Sequence, residues 1–160
     1  MISSGCDNKE TKMTNQQITI ATTIAAPIER VWEAYTTPGD ITQWNFASDD
    51  WCCPSAEVDL KVGGGYKARM EAKDGSFGFD FEAVYEEVEP YKAIAFAMSD
   101  GRKARTTFEA AGNGTRVTTI FDAETQNSID MQRDGWQAIL DNFGRYVESS
   151  AGHEQVQGGR

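Results

Sequence analysis

Apolar residues recur at three- and four-residue spacing along residues 128–150, as they do on one face of a helix. The residues of this face are Ile129, Trp136, Ile139, Leu140, Phe143, Tyr146 and Val147. Ser128 can cap the first turn, and Gly152 can end the helix. With a rise of about 1.5 Å per residue, the helix is roughly 33 Å long. Because its face carries Trp, Phe and Tyr side chains, it requires a broad apolar surface opposite it.

A strand and two short helices are predicted ahead of this long helix, near the start of the chain. Residues 18–24 (ITIATTI) are rich in β-branched side chains and alternate as a strand does. Pro27 suits the first turn of a helix, whose apolar spacing is formed by Ile28, Val31, Trp32 and Tyr35. Residues 38–40 (PGD) interrupt it, and residues 41–44 predict a second helix. Residues 46–55 (FASDDWCCPS) have no period and predict a loop whose apolar side chains fold inward.

Turn signals become regular after this loop, at intervals of about ten residues. They are Gly63-Gly64-Gly65, Asp74-Gly75, Glu89-Pro90, Asp100-Gly101 and Gly112-Asn113-Gly114. Strand-like segments lie between them, at residues 57–62, 66–73, 77–88, 92–99, 102–110 and 115–122. Short links and Asp-Gly turns predict hairpins, so these strands form an antiparallel meander.

Side-chain alternation along the strands predicts one polar face and one aromatic-rich face. The apolar face comprises Tyr66, Ala68, Met70, Phe77, Phe79, Phe81, Ile94, Phe96, Met98, Val117, Thr119 and Phe121. The alternation slips near residues 83–85, where we predict a bulge. The apolar face should pack on the long helix. The pattern therefore predicts an α+β fold in which a curved antiparallel sheet of about seven strands wraps a C-terminal helix and leaves an interior space.

Length and charge limit the classes of partner. The chain of 160 residues suits one domain, which we place at residues 18–150. Residues 1–17 are polar and predict a disordered arm, and residues 151–160 predict a flexible tail. Its 15 basic and 25 acidic residues give a net charge of −10. We expect neither nucleic acid nor an anionic membrane as a partner, because phosphate groups require clustered Lys and Arg. No apolar run predicts membrane insertion.

The cysteines and the first residues predict a cytoplasmic protein. The start of the chain lacks the basic and apolar regions of a secretion signal. Residues 3–6 (SSGC) are similar to the end of a lipoprotein signal, but only five residues precede Cys6, so we do not expect lipidation of this chain. Three cysteines, two of them adjacent at Cys52 and Cys53, do not form a disulfide framework. A reducing compartment is therefore expected.

Several motifs in this order resemble a known family. They are Ile24-Ala25-Ala26-Pro27-Ile28-Glu29-Arg30-Val31-Trp32-Glu33-Ala34-Tyr35-Thr36, Ile41-Thr42-Gln43-Trp44, Asp59-Leu60-Lys61-Val62-Gly63-Gly64-Gly65-Tyr66, Glu87-Val88-Glu89-Pro90, Gly114-Thr115-Arg116-Val117-Thr118, Gly135-Trp136 and Leu140-Asp141-Asn142-Phe143. The chain resembles the START-like, or helix-grip, superfamily (SRPBCC), which includes the major birch pollen allergen. The motifs are closest to its Hsp90-ATPase activator homologue branch, of the C-terminal-domain type, over roughly residues 18–150.

This resemblance implies a fold and a cavity more than a reaction. The branch shares no catalytic residue set, and many bacterial members resemble ligand-binding proteins. The eukaryotic co-chaperones of the branch pair this domain with an amino-terminal domain that contacts the chaperone. The residues before position 18 do not resemble that domain, so a co-chaperone role is not the first expectation.

Catalytic and metal chemistry has few candidates in the sequence. The single histidine, His153, lies in a polar tail, which excludes histidine-based triads and metal sites within the fold. The pair Cys52-Cys53 lies beside Asp49-Asp50, whose charges raise a thiol pKa, so we expect packing rather than reactivity. Residues Asp49, Asp50, Glu57 and Asp59 match no calcium-loop spacing and predict a solvated acidic rim. The triple glycine at 63–65 leads into a strand, so it predicts a hairpin turn rather than a phosphate site. We expect neither a cofactor nor a metal.

A basic cluster at Arg102, Lys103 and Arg105 is the strongest in this acidic chain. An inward Arg105 would hold a ligand carboxylate through two hydrogen bonds. However, the side chain of Phe108 shares its parity with Arg102, Ala104 and Thr106. We therefore expect Arg105 to face solvent.

The aromatic residues give the main functional hypothesis. Ligand-binding residues are predicted to be Trp44, Trp51, Tyr66, Met70, Phe79, Phe96, Thr119, Trp136, Leu140 and Phe143. They would line a pocket beneath the loop 46–55, which would act as a movable cover. The alternative for each of them is simple core filling. The expected partner is a small apolar or amphipathic molecule; a homodimer is left open.

Two other functions remain open at this point. A cyclase- or hydrolase-type enzyme would use the same cavity, with Tyr66, Tyr85 or Asp80 as the visible acids or bases. A co-chaperone-like interaction module would instead expose an apolar patch on the sheet. No acid–base or nucleophile set is evident in the sequence, so we expect binding rather than catalysis.

Overall fold

The structure is a computed structural model that describes residues 16–158, with side chains described as far as Ser149. Its strands are β1 (Gln17–Ile24), β2 (Trp51–Val58), β3 (Gly65–Ala72), β4 (Gly78–Glu89), β5 (Ala93–Met98), β6 (Lys103–Ala111) and β7 (Gly114–Asp122). Its helices are α1 (Ile28–Thr36), α2 (Pro38–Trp44) and α3 (Ile129–Gly158). Of the predicted arm at 1–17, only residues 16 and 17 are among the described residues. The side chains of the predicted tail at 151–160 lie outside them.

The seven strands form one antiparallel sheet in the order β1-β7-β6-β5-β4-β3-β2. Strands β2 to β7 follow one another as a meander, and β1 pairs with β7 along its whole length, from Gln17 opposite Asp122 to Ile24 opposite Thr115. The sheet curls around α3. The predicted α+β helix-grip fold is therefore confirmed.

Helix α3 lies against the concave face of the sheet through its apolar side. Leu140, Phe143 and Val147 are buried there, and Trp136 is partly buried. At the helix start the Ser128 hydroxyl accepts a hydrogen bond from the Met131 amide (3.1 Å), as predicted. The helix does not end at Gly152 but continues to Gly158. A glycine inside a helix costs only about 1 kcal/mol relative to alanine, so it permits a stop without forcing one.

Helices α1 and α2 close the end of the sheet at which β1 leads into α1. Val31 and Ile41 are fully buried, and the Trp44 indole donates a hydrogen bond to the Ala34 carbonyl (3.0 Å). The Tyr146 hydroxyl of α3 donates to the Asp40 carboxylate of α2. Arg30 of α1 lies 3.5 Å from the same carboxylate. All three helices therefore meet at Asp40.

The loop predicted at residues 46–55 was wrong in its second half, where strand β2 begins at Trp51. The strand predicted at 57–62 is correct only as far as Val58. Strand β2 lies at the sheet edge, and its register with β3 shifts between Cys52 and Ser55, around Pro54. A bulge and a proline are tolerated at an edge, and they remove the alternation from which a strand is recognised.

Two smaller differences concern strand β4. The predicted bulge lies between Tyr85 and Glu87, just after residues 83–85. Phe77 precedes the strand and is 61% exposed, so it is not part of the inner face.

The turn predicted at the triple glycine is present, with the Gly64 amide donating to the Lys61 carbonyl (2.8 Å). Gly63 has a φ of +88°, a conformation that glycine adopts without strain.

Candidate functional site

A pocket of about 300 Å³ lies between the concave face of the sheet and helix α3. Eight of the ten predicted ligand-binding residues line it: Trp44, Tyr66, Met70, Phe79, Phe96, Thr119, Trp136 and Leu140. They come from α2, four strands and α3, because the inward positions of each strand face the same helix. The lining is mostly aromatic and aliphatic, as in pockets that hold small organic molecules.

Two predicted residues do not line this pocket. Phe143 is fully buried and packs against Trp44 and Tyr35, with ring centroids 4.8 Å and 5.4 Å away. It faces the short helices because it lies one helical turn beyond Ile139. Trp51 starts strand β2 instead of lying on a loop above the pocket. Its ring contacts Phe77 and Phe79 at centroid distances of 6.0 Å and 6.2 Å.

The pocket has an open end and a closed end. The β3–β4 and β5–β6 turns lie at the same end of the antiparallel sheet, which places Phe79 and Arg102 together there. Phe79 is 40% exposed, and the Arg102 side chain is 26% exposed. At the other end Tyr66, Tyr85 and Asn45 are buried. The short helices cover that end, so the pocket opens to solvent beside Phe79 and Arg102.

Hydroxyl groups provide most of the polarity inside the pocket. The Tyr35 hydroxyl is hydrogen-bonded to Thr106 (3.2 Å), and Thr106 to Thr119 (2.7 Å). The Asn45 amide donates to the Tyr66 hydroxyl (3.3 Å). Burial raises the pKa of each of the phenols of Tyr35, Tyr66 and Tyr85 above its ordinary value, because the ionised form loses hydration. These groups therefore remain protonated at neutral pH.

Among the residues whose side chains the structure describes, Arg102 is the one charged member of the pocket lining. Its Nε donates to the Asp100 carboxylate (2.8 Å), and its Nη1 donates to the Asp122 carbonyl (3.4 Å). The hydrogen bond from Arg102 lowers the pKa of Asp100. Arg105 faces solvent, as its parity predicted, and binds Glu87 through two hydrogen bonds of 2.7 Å and 3.1 Å. The sequence analysis considered Arg105 as the member of this basic cluster that could bind a ligand, whereas Arg102 is the member that lines the pocket.

Six other lining residues were missed by the sequence prediction, and Tyr85 was named only as a candidate acid or base of the alternative enzyme. The missed polar residues are Tyr35 and Asn45, and the apolar ones are Ile20, Phe81, Ile94 and Ile139. The alternation of strand β4 was a signal for Phe81 and Tyr85, since both share the parity of Phe79. Tyr35 and Asn45 reach the pocket from the short helices, and no periodic pattern in the sequence indicates that contact.

The remaining chemical candidates lie away from the pocket. Asp80 faces the outer side of the sheet, 3.6 Å from Arg69. Cys53 is buried, and burial raises the pKa of its thiol. Within residues 16–149, no group of three His, Cys, Asp or Glu side chains is arranged to hold a metal ion. In the described part of the chain, no helix is both long and apolar enough to span a membrane.

A second depression, of about 720 Å³, is open to solvent. The exposed side chains of Lys67, Glu82 and Val84 line it on the outer face of the sheet. Its mixed charges and its exposure make it a poorer container for an apolar molecule than the interior pocket.

Comparison with known proteins gives one family and several related folds. A family model described as Activator of Hsp90 ATPase homolog 1-like protein matches residues 25–148. The solution structure of an AHSA1-like protein from Aeromonas hydrophila is 45% identical, with a TM-score of 0.80, over 84% of this chain and 94% of that one. A protein from Cytophaga hutchinsonii is 42% identical, with a TM-score of 0.72, over 86% and 95%. The crystal structure of a Nitrosomonas europaea protein has the same fold at 19% identity, with a TM-score of 0.74, over 84% and 95%. No curated protein matches the chain.

Proposed function

Because the chain belongs to the family of Activator of Hsp90 ATPase homolog 1-like proteins, and because its sheet and last helix enclose an aromatic pocket, we propose that it binds a small apolar or amphipathic molecule there. The observation that carries this proposal is the lining of the pocket. Aromatic and aliphatic side chains form most of it, and the few polar groups include Tyr66, Tyr85 and Asn45 at its closed end. A volume of about 300 Å³ suits a compact ligand of one or two fused rings.

Binding is favoured over catalysis by the titratable groups of the pocket. A general acid or base works best with a pKa near the working pH. The titratable side chains of the lining are the three tyrosines and Arg102. The tyrosine pKa values are raised further from neutrality by burial, and Arg102 is paired with Asp100. This set orients a ligand better than it transfers protons.

A cytoplasmic location is part of the proposal. Cys52 and Cys53 are free thiols in the structure, which suits a reducing compartment. The net charge of −10 supports a partner that is neither a nucleic acid nor an anionic membrane surface.

Filling the pocket tests the proposal. Met70 lines the pocket on strand β3 and is half-buried, so Met70→Trp should occupy the space without unfolding the sheet. We expect the wild-type protein to bind the uncharged fluorescent probe N-phenyl-1-naphthylamine, and Met70→Trp to bind it at least about tenfold more weakly. Met131→Trp is the matched control, because Met131 is 63% exposed on α3 and does not line the pocket. A folded Met70→Trp variant with wild-type probe affinity would show that the ligand binds elsewhere.

A further inference from the structure

The hydroxyl group of Tyr85 has no hydrogen-bond partner among the residues that the structure describes. Since no fully buried polar side-chain atom there lacks a partner, the Tyr85 oxygen is open to the space of the pocket. The residue is 3% exposed and lines the pocket from strand β4. Its ring packs at a steep angle against the rings of Tyr66 and Phe96, with centroids 6.2 Å and 6.4 Å away. A hydroxyl that faces an enclosed pocket finds its partner in whatever occupies the pocket, since leaving it unpaired away from water would cost about 1–3 kcal/mol.

The neighbouring tyrosine hydroxyls are already engaged, in contrast to Tyr85. Tyr35 is hydrogen-bonded to Thr106, and Tyr66 accepts the amide of Asn45. Because Tyr66 acts as an acceptor in that bond, its own O–H hydrogen is still available for donation. The closed end of the pocket thus presents two phenolic donors, Tyr85 and Tyr66, on neighbouring rings.

At this end, no charged side chain among the described lining residues can balance an ionised ligand group. The charged member of the lining, Arg102, lies at the open end and is already paired with Asp100 at 2.8 Å. An anion at the open end would therefore meet the carboxylate of Asp100, and an ion at the closed end would be buried without a counter-charge from the described lining residues. Both ends favour an uncharged molecule.

Resting on the proposed function, we propose that the pocket selects an uncharged cyclic molecule with a carbonyl group, whose oxygen accepts a hydrogen bond from the Tyr85 hydroxyl. The rings of the ligand lie among Phe79, Phe96 and Trp136, and the carbonyl points toward the closed end. Tyr85 is then the residue that determines specificity for the polar group of the ligand. Its phenol is suited to this role because burial keeps it protonated and therefore a donor.

A matched pair of ligands and a one-atom variant test this assignment. 2-Acetylnaphthalene carries the carbonyl, and 2-ethylnaphthalene has nearly the same shape without it. Tyr85→Phe removes only the hydroxyl. We expect this variant to bind acetylnaphthalene about three- to tenfold more weakly than the wild type does, since a neutral hydrogen bond contributes about 0.5–1.5 kcal/mol. Its affinity for ethylnaphthalene should not change. Tyr91→Phe is the control, because Tyr91 is 46% exposed and does not line the pocket.

The stability of the ligand-free variant separates a binding role from a structural one. A hydroxyl that stabilises the fold would lower the melting temperature when removed. The unpartnered hydroxyl of Tyr85 should leave the melting temperature of Tyr85→Phe unchanged or raise it. A lowered melting temperature would assign the hydroxyl to the fold and overturn the proposal.

The charge preference has its own test. At pH 8, where it is ionised, 2-naphthoate should bind the wild type at least about tenfold more weakly than acetylnaphthalene. Equal affinities would overturn the proposal.

The infrared carbonyl band of bound acetylnaphthalene should lie at the lower frequency of a hydrogen-bonded ketone, a readout that needs no variant. A band at the frequency of a free ketone would also overturn it.

The outcomes distinguish this inference from the proposed function. If both naphthalenes bind and Tyr85→Phe weakens neither or both equally, the Tyr85 assignment fails and the binding function stands. If the wild type binds neither naphthalene nor N-phenyl-1-naphthylamine, both proposals fail.

Discussion

The indole ring of Trp136 lies parallel to the phenyl ring of Phe121, with centroids 3.9 Å apart and an angle of 8° between the planes. This stack joins the first half of α3 to the end of strand β7. Trp136 is partly buried and also lines the pocket, whereas Phe121 is fully buried beneath it.

Removing the indole should therefore weaken both the fold and the pocket. Complete loss of a buried aromatic side chain costs about 3–5 kcal/mol, and Trp136 is only partly buried. We expect Trp136→Ala to lower the free energy of unfolding by about 2–3 kcal/mol, measured by urea denaturation. Trp136→Phe retains a ring over Phe121 and should lose less than half as much. An unchanged stability of Trp136→Ala would contradict the packing of α3 described above.

The sequence predicted the meander well because local signals define it. Asp-Gly and Gly-rich turns separate the strands, and the inward positions of β3 and β5 are regularly apolar or aromatic. The same logic failed at Trp51, where a proline and a register shift near the sheet edge hide the strand. It also failed at Phe77, an apolar residue in phase with the strand but beyond its end.

The pocket was predictable only where a strand or helix repeat indicated the orientation of a side chain. Tyr66, Met70 and Phe96 follow such repeats and line the pocket. Tyr35 and Asn45 lie within or just after the short helices, and their position depends on how those helices pack on the sheet. Arg102 was grouped with Lys103 and Arg105 by charge, although its parity with Phe108 indicated an inward position.

The buried tyrosines predict a loss of stability at alkaline pH. Burial raises the pKa of Tyr35, Tyr66 and Tyr85 in the folded protein above the unfolded value of about 10. Below pH 10 both states are protonated and the stability is complete. As the pH rises above 10, the unfolded state loses protons first, so the free energy of unfolding falls. Urea denaturation between pH 8 and 11 should show this fall, with a shallower slope in Tyr85→Phe. If the free energy of unfolding of Tyr85→Phe fell with pH as steeply as that of the wild type, ionisation of Tyr85 would not contribute to the alkaline loss of stability.

Gly114 should not tolerate a side chain. A Cβ atom there would lie 2.2 Å from the Ile24 carbonyl oxygen, which belongs to the backbone of strand β1. We expect Gly114→Ala to lower the free energy of unfolding by about 2–3 kcal/mol or more. Gly39→Ala is the control, because apart from its chain neighbours and its own helix backbone no atom lies within 4 Å of its Cβ position, and it should be neutral or stabilise by up to about 1 kcal/mol. Thermal unfolding of both variants tests this prediction. Equal melting temperatures would contradict the close contact between residue 114 and the Ile24 carbonyl.

Cys53 should react slowly with thiol reagents. It is buried, and the raised pKa of its thiol lowers the thiolate fraction near neutral pH. We expect iodoacetamide at pH 8 to modify Cys53 in the folded protein at least about tenfold more slowly than in the urea-unfolded chain. Peptide mass spectrometry measures the extent of modification over time. Neither Cys52 nor Cys53 lines the pocket, so the double alanine variant should retain its affinity for N-phenyl-1-naphthylamine. Fast modification of Cys53 in the folded protein would indicate a reactive thiol.

The pairing of β1 with β7 has a consequence for the order of folding. Ile18 lies opposite Phe121 and Ile24 opposite Thr115, and α3, which follows β7, packs on β1 as well. The hairpins from β2 to β7 join strands that are neighbours along the chain and can form early. Strand β1 is synthesised first but finds its partner only when β7 has emerged from the ribosome, and this closure spans most of the chain. Contacts of such long sequence separation form slowly, so the docking of β1 and α3 is expected to set the folding rate, and the binding pocket to be completed last.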